Sequence, residues 1–560
     1  MNANIVNLLR TRAMEHPNKD ALIVAASGKR TSFAELDFES DGYARGFQKI
    51  GIRKGMRVAV LVPPNENFFY LAFALLKLGA VMVLIDPGMG LKSMLRCLEE
   101  LKPDAFVGTP KAVALKVLTR AMKSAKIQIT VGSGFFWGYF WGGFQLSKLR
   151  TPLKTPFDIV DCGPSEEAAV LFTTGSTGLA KGAVYQHSMF RAQVDVLKNH
   201  YQIGEDEIDL PTFPLFALFD PLLSMTAVLP DMDPRRPGFV NPQKIFEPIR
   251  KYRITNMFGS PALINRVGQE GERLGVKLPT LRRVISCGAP VPPRALRSFS
   301  SMLRPEVEIF TPYGATEALP VSSIGSSEIL TETAAETQRG AGTCVGRPMP
   351  KMDVNIIGIN DQAISNWNDD LLLETGEVGE IVVRGDVVTQ QYCARDQATL
   401  LAKITDGDRV WHRMGDLGRF DSQGRLWFLG RKSQRVSTQA GDLFTDAVEG
   451  IFNEHPAVFR SALVGVPKSN VKEPAHLSPS SPVLCVELKK NVAHAERSKI
   501  LEELKMMAKG HPQTRTIEQF LFHPKFPVDI RHNAKIFREQ LAQWAGTRSP
   551  ESHSPEPHPS

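Results

Sequence analysis

A chain of 560 residues is too long for one compact core, so at least two domains are expected. Its 42% hydrophobic and 22% charged residues exclude a disordered or fibrous chain. A net charge of +8 with no long basic run excludes a nucleic-acid binder, and six scattered cysteines exclude a disulfide scaffold or thiolate metal site and fit a reducing cytoplasm.

The N-terminus, Met1 to His16, reads as an amphipathic helix carrying Arg10 and Arg12, with no signal-peptide cleavage pattern. From Ala21 onward short apolar runs alternate with helical patterns. Val58 to Val62 is rich in β-formers, and Pro63-Pro64-Asn65 turns the chain into a helix. The most apolar stretch, Phe68 to Ile85, has the composition of a membrane span, but Lys77 and Gly79 interrupt it. A buried helix over Phe68 to Leu78 and a strand over Val81 to Ile85 account for it better. Ala105 to Val107 and Ile127 to Val131 continue the series, and the alternation predicts an α/β architecture with largely parallel sheets. The run Phe135 to Phe144 packs seven aromatics among glycines. It reads either as an exposed surface for lipid or a partner, or as a loop folded onto its own domain.

Ala168 to Phe172 reads as a buried strand, and it leads into Thr173, Thr174, Gly175, Ser176, Thr177, Gly178, Leu179, Ala180, Lys181 and Gly182. Glycines allow a tight turn with N–H groups near a ligand, hydroxyls donate to anionic oxygens, and a lysine adds a point charge. The combination suits a polyphosphate. It is not a Walker A loop, because Lys181 is followed by glycine and the glycine spacing differs. Further on, Phe213, Phe216, Ala217 and Phe219 form an apolar run that fits a fatty chain, with Asp220 the lone carboxylate among them. Asp220 reads as a turn cap before Pro221 or as a base whose pKa is raised by burial. In Ser286-Cys287-Gly288-Ala289-Pro290, small residues and a proline leave room for a flat base against the backbone.

These segments, together with Tyr313-Gly314-Ala315-Thr316-Glu317, Gly376 to Gly385, Met414-Gly415-Asp416 and Trp427 to Arg431, occur in the order found in the adenylate-forming superfamily, which the chain resembles over nearly its whole length. The resemblance implies a large N-terminal AMP-binding domain with mixed and parallel sheets, residues 1–431. It also implies a small α+β domain, 432–546, that swivels near Ser433. A tail, 547–560, rich in Ser, Pro, His and Glu is expected to be disordered. ATP and Mg²⁺ are the implied cofactors. Tyr313, Gly314 and Gly288 to Pro290 would take adenine, Thr173 to Gly178 and Thr316 the phosphates, Asp416 the ribose, and Arg431 the ribose or phosphate. Glu317 would hold Mg²⁺ and act in catalysis with Lys181 and Lys535. Phe213, Phe216, Ala217, Phe219, Asp220 and Ser260 would line the acyl pocket.

The chain also departs from the common pattern. Ala180 stands for a proline, Ala217 for a histidine, Met414 for a threonine, and Asn533-Ala534 for Ser-Gly before Lys535. With the runs Leu210 to Pro214, Pro230 to Pro234, Phe258 to Leu263 and Gly340 to Gly346, these features resemble the olefin β-lactone synthetases. That branch activates a 2-alkyl-3-hydroxy fatty acid with ATP and closes the 3-hydroxyl onto the carbonyl, releasing AMP and pyrophosphate. The resemblance leaves open a complex with other enzymes of olefin biosynthesis and peripheral membrane contact. Two alternatives stand beside it: a long-chain acyl-CoA ligase or fatty acyl-AMP ligase, and an inactive acyl- or nucleotide-binding protein.

Overall fold

A computed structural model describes residues 2–85, 89–119, 122–132, 143–151, 155–173, 180–213, 215–467, 479–528 and 536–548, apart from the side chains of 117, 118 and 173. The aromatic run up to residue 142, residues 174–179 of the glycine-rich loop, Lys535 and the tail from 549 therefore lie outside the described residues.

Two seven-stranded sheets form the framework. In the first, Ile127–Thr130, Ala105–Gly108, Arg57–Leu61, Val81–Ile85 and Glu167–Thr173 lie side by side and parallel, and Lys181–Gln186 adds an antiparallel edge. In the second, Ile309–Phe310, Arg283–Ile285, Asn256–Phe258, Ile208–Pro211, Thr226–Leu229 and Asp20–Val24 are parallel. Their valine- and isoleucine-rich strands are buried on both faces, as parallel strands covered by helices must be. A third sheet is antiparallel and runs from Tyr313–Ala315 through Leu426–Arg431 and Arg409–Phe420 to Met352–Ile357. Beyond it a smaller α+β region packs Thr445–Phe452, Arg497–Gly510 and Arg538–Gly546 around the strands Val458–Pro467, Ser480–Leu488 and Gln519–Phe522.

The apolar stretch divides as its sequence suggests. Helix Glu66–Lys77 starts where the Asn65 side chain accepts from Asn67 N–H, and every residue from Phe68 to Lys77 is buried. Burying each of its phenylalanines is worth about 1.5–3 kcal/mol. Lys77 is buried because two carboxylates meet it: its Nζ lies 2.6 Å from Asp37 Oδ1 and 2.5 Å from Asp41 Oδ1. Arg10 reaches the same pair at 2.6 Å, so the charge that interrupts the apolar run also docks the N-terminal helix Asn7–Glu15. Among the described residues no helix is long and apolar enough to cross a membrane.

The carboxyl ends of the parallel strands, at Thr173, Pro211, Phe258, Ile285 and Phe310, lead into the glycine-rich loop and the segments at Phe213, Ser260, Ser286 to Pro290 and Tyr313. Open parallel sheets bind ligands at that edge. The antiparallel sheet starts there too, at Tyr313, and brings Asp416 and Arg431 to the same place.

Candidate active site

Thr173 closes its strand opposite Lys181, the first residue of the next one. The glycine-rich loop thus joins two antiparallel strands. Lys181 is held by strand register. Gly182 must be glycine here, since a Cβ would sit 2.7 Å from the Phe172 ring. The Lys181 ammonium lies 4.9 Å from the centroid of the Tyr392 ring.

The turn after strand Arg283–Ile285 presents its backbone outward. Gly288 has φ +99°, a conformation that favours glycine, and Gly288 and Pro290 are exposed while Ala289 is half-buried. Ser286 is buried, and its hydroxyl has no hydrogen-bond partner among the described residues. Across from this turn, Gly314 lies so close to Ala318 that a Cβ would stand 2.6 Å from its carbonyl oxygen. Tyr313 O–H donates to Asp416 Oδ2 at 2.6 Å. Arg431 Nη1 approaches Asp416 Oδ1 to 2.7 Å. That second contact pairs the charges, and Oδ1 is buried with no aligned hydrogen bond among the described residues. Asp416 is 2% exposed. Burial pushes its pKa up, against the pull of Arg431 and Tyr313. A buried acceptor lacking a donor costs free energy, so this corner fits a ligand that brings hydroxyl donors, as a ribose does.

Glu317 and Thr316 sit where the hairpin turns back. Tyr185 O–H donates to Thr316 O at 2.6 Å, and Tyr392 O–H donates to Glu317 Oε1 at 2.5 Å. No group of three acidic, histidine or cysteine side chains among the described residues is placed to cage a metal. A cation here would take the one carboxylate of Glu317, with its remaining ligands from phosphate oxygens and water. Mg²⁺ accepts that donor set.

Aromatic rings line the neighbouring space. Phe216 packs on Phe258 at 4.5 Å and on Phe213 at 5.4 Å, and Phe219 meets Phe190 at 6.0 Å. Ala217 is fully buried in the core between the two parallel sheets. Ser260 uses its hydroxyl to cap helix Pro261–Leu274, accepting from Leu263 N–H at 3.4 Å. Asp220 is neither a turn cap nor a lone carboxylate. It is hydrogen-bonded to Asp209, which arrives on strand Ile208–Pro211, and Asn256 Nδ2 donates to Asp209 Oδ1. Asp220 Oδ2 is buried with no hydrogen-bond partner among the described residues. Burial raises the pKa of both carboxyls; Asp209 opposes ionisation of Asp220, while the hydrogen bond from Asp220 favours the charge on Asp209, so the pair retains a proton near neutral pH, on Asp220.

Ser433 lies half-buried in the turn Lys432–Gln434. Its neighbours are tethered: Lys432 Nζ stands 2.9 Å from Glu380 Oε1, and Arg435 Nη2 stands 2.5 Å from Asp361 Oδ2. Arg538 joins Gln434 to Glu449, just beyond the bridge Val528–Ile536 that brackets the segment holding Lys535. Sequence reasoning missed Tyr392 and Asp209. Each gains its meaning only from a partner far along the chain.

The site's order of elements matches known proteins. Residues 9–393 match the family model described as AMP-binding enzyme. The olefin β-lactone synthetase of Xanthomonas campestris is 44% identical, covering 97% of both chains. That of Stenotrophomonas maltophilia is 43% identical, covering 97% of this chain and 98% of its own. The ATP-bound MatB of Rhodopseudomonas palustris shares the fold, with a TM-score of 0.75 at 19% identity over 98% of this chain and 99% of its own. The chain belongs to the AMP-binding enzyme family of ATP-binding, adenylate-forming ligases, in the branch of the olefin β-lactone synthetases.

Proposed function

We propose that this enzyme activates a hydrophobic 2-alkyl-3-hydroxy acid with ATP and closes it to a β-lactone. The observation that carries the reading is the 44% identity to an olefin β-lactone synthetase, sustained along 97% of the chain. In the first step a carboxylate oxygen attacks the α-phosphorus, and pyrophosphate leaves. In the second, the substrate's own hydroxyl oxygen attacks the activated carbonyl. AMP leaves with the former carboxylate oxygen, and the hydroxyl proton is released.

The residues divide the work as follows. Asp416, Arg431 and Tyr313 hold the ribose and adenine against Gly288, Ala289 and Pro290. Lys181, Thr173 to Gly178 and Thr316 hold the phosphates. Mg²⁺, held by Glu317, would offset charge on the phosphate oxygens. Lys535 meets the carboxylate and the α-phosphate as they react. The rings of Phe213, Phe216, Phe219 and Phe258 exclude water and hold the chain so that the hydroxyl stays near the carbonyl. Such proximity is worth roughly 7–11 kcal/mol in well-oriented intramolecular reactions. Residues 432–546 form a separate unit that swivels about Ser433 to bring Lys535 in for the first step.

The experiment compares a 3-hydroxy acid with the same acid lacking the hydroxyl, with and without coenzyme A, and follows steady AMP release. The expected result is turnover with the hydroxy acid alone, indifferent to coenzyme A. Turnover of both acids that requires coenzyme A would make the protein an acyl-CoA ligase instead.

A further inference from the structure

The stretch that follows strand Gly379–Gly385 folds back over the site. Cys393 N–H donates to Gly182 O at 2.8 Å, Val184 N–H donates to Gln391 O at 3.3 Å, and Tyr392 forms a backbone bridge with Ala183. This lays Tyr392, 6% exposed, between Lys181 and Glu317. Its hydroxyl donates to Glu317 Oε1 at 2.5 Å, and its ring lies under the Lys181 ammonium at 4.9 Å.

The same stretch also fixes the main chain of Glu317. Thr389 N–H donates to Glu317 O at 2.8 Å, and Thr389 Oγ1 donates to the same oxygen at 3.2 Å. Thr389 is itself held from behind, since the buried Lys403 Nζ donates to its carbonyl oxygen and, at 3.2 Å, to its hydroxyl.

No Lys181–Glu317 ion pair forms among the described residues, and Glu317 Oε2 has no hydrogen-bond partner among them. We propose that Tyr392 is a positioning residue: its ring keeps Lys181 and Glu317 from neutralising each other, and its hydroxyl occupies one carboxylate oxygen so that the other faces the cation side of the nucleotide. The proposal rests on the adenylation reading of the site.

The test measures ATP binding by titration calorimetry, with Mg²⁺ and with EDTA, in Tyr392→Phe, Tyr392→Leu, Glu317→Gln and the double variant Glu317→Gln with Tyr392→Phe. No acyl substrate is needed, so these results stand whether or not a lactone is ever made. Tyr392→Phe keeps the spacer and loses the hydroxyl. It should weaken ATP binding in Mg²⁺ about tenfold, the scale of one hydrogen bond to a charged group, and leave binding in EDTA unchanged. Tyr392→Leu should weaken binding in EDTA as well, because Lys181 turns to Glu317. In the Glu317→Gln background Tyr392→Phe should add little. The proposal is overturned if Tyr392→Phe binds ATP like wild type in Mg²⁺, or if its loss adds fully to that of Glu317→Gln. It is equally overturned if Tyr392→Phe only lowers the melting temperature. Should Tyr392→Leu fail to fold, Tyr392→Phe and the double variant decide the matter.

Discussion

The corner around Asp416 and the cluster of rings around Phe216 each hold a buried carboxylate, and the partners decide what each one is. Asp416 faces a guanidinium and a phenol, which favour its ionised form against the cost of burial. Asp220 faces a second carboxyl, which raises the cost further and keeps a proton on the pair. The first carboxylate thus sits where a guanidinium and a phenol favour its charge, a setting suited to hydroxyl donors. The other is a nearly neutral polar contact beneath apolar rings, which a fatty chain tolerates. Burial alone does not set the charge of a side chain; burial and partner together do.

Four variants separate the two regions, beginning with the greatest effect. Lys535→Ala should lower pyrophosphate release about 10²–10³-fold, the cost of losing one stabiliser of transition-state charge, while ATP affinity holds. Unaltered pyrophosphate release would mean that another residue meets the reacting carboxylate. Asp416→Ala removes the first carboxylate and should weaken ATP binding by about 1.5–3 kcal/mol without changing which acids are accepted. Equal ATP affinity in titrations of the variant and wild type would reduce Asp416 to a support for its strand.

Asp220→Asn acts on the other region, and its sign follows from linkage. A carboxyl whose folded pKa is raised gives full stability below the unfolded value, near 3.9, and that stability is lost as pH rises through the folded value. Wild type should therefore lose stability as the pH climbs from acid toward neutral. Asp220→Asn should flatten that slope and melt higher at pH 8 than wild type, with little difference at pH 4. A melting curve lowered equally at both pH values would show that the pair is charged in the folded protein. Ser260→Ala should have the smallest effect, about 1 kcal/mol of stability from the lost helix cap, with acid selectivity retained. A changed acid preference at full stability would return Ser260 to the pocket wall.

Much of the framework is legible in the sequence because it is local. The runs at Val58, Val81, Ala105 and Ile127 are strands within a residue or two of their expected ends, and Lys77 and Gly79 mark where helix gives way to strand. The order of glycine, hydroxyl and acidic segments also points to one edge of the sheets, since each follows a short apolar run. What escapes is pairing across distance. Asp209 in its strand looks like any charge at a sheet edge until Asp220 is folded against it. Tyr392 belongs to no local pattern, and only the return of its loop onto strand Lys181–Gln186 sets it between Lys181 and Glu317.

The central claim is that the substrate's own hydroxyl completes the reaction. Mass spectrometry of the product formed from a 3-hydroxy acid, ATP and Mg²⁺ with no coenzyme A tests it most directly. The account predicts a product lighter than the acid by one water, with one AMP and one pyrophosphate released for each. A product that appears only when coenzyme A is added, with the mass of a thioester and the hydroxyl intact, would contradict it.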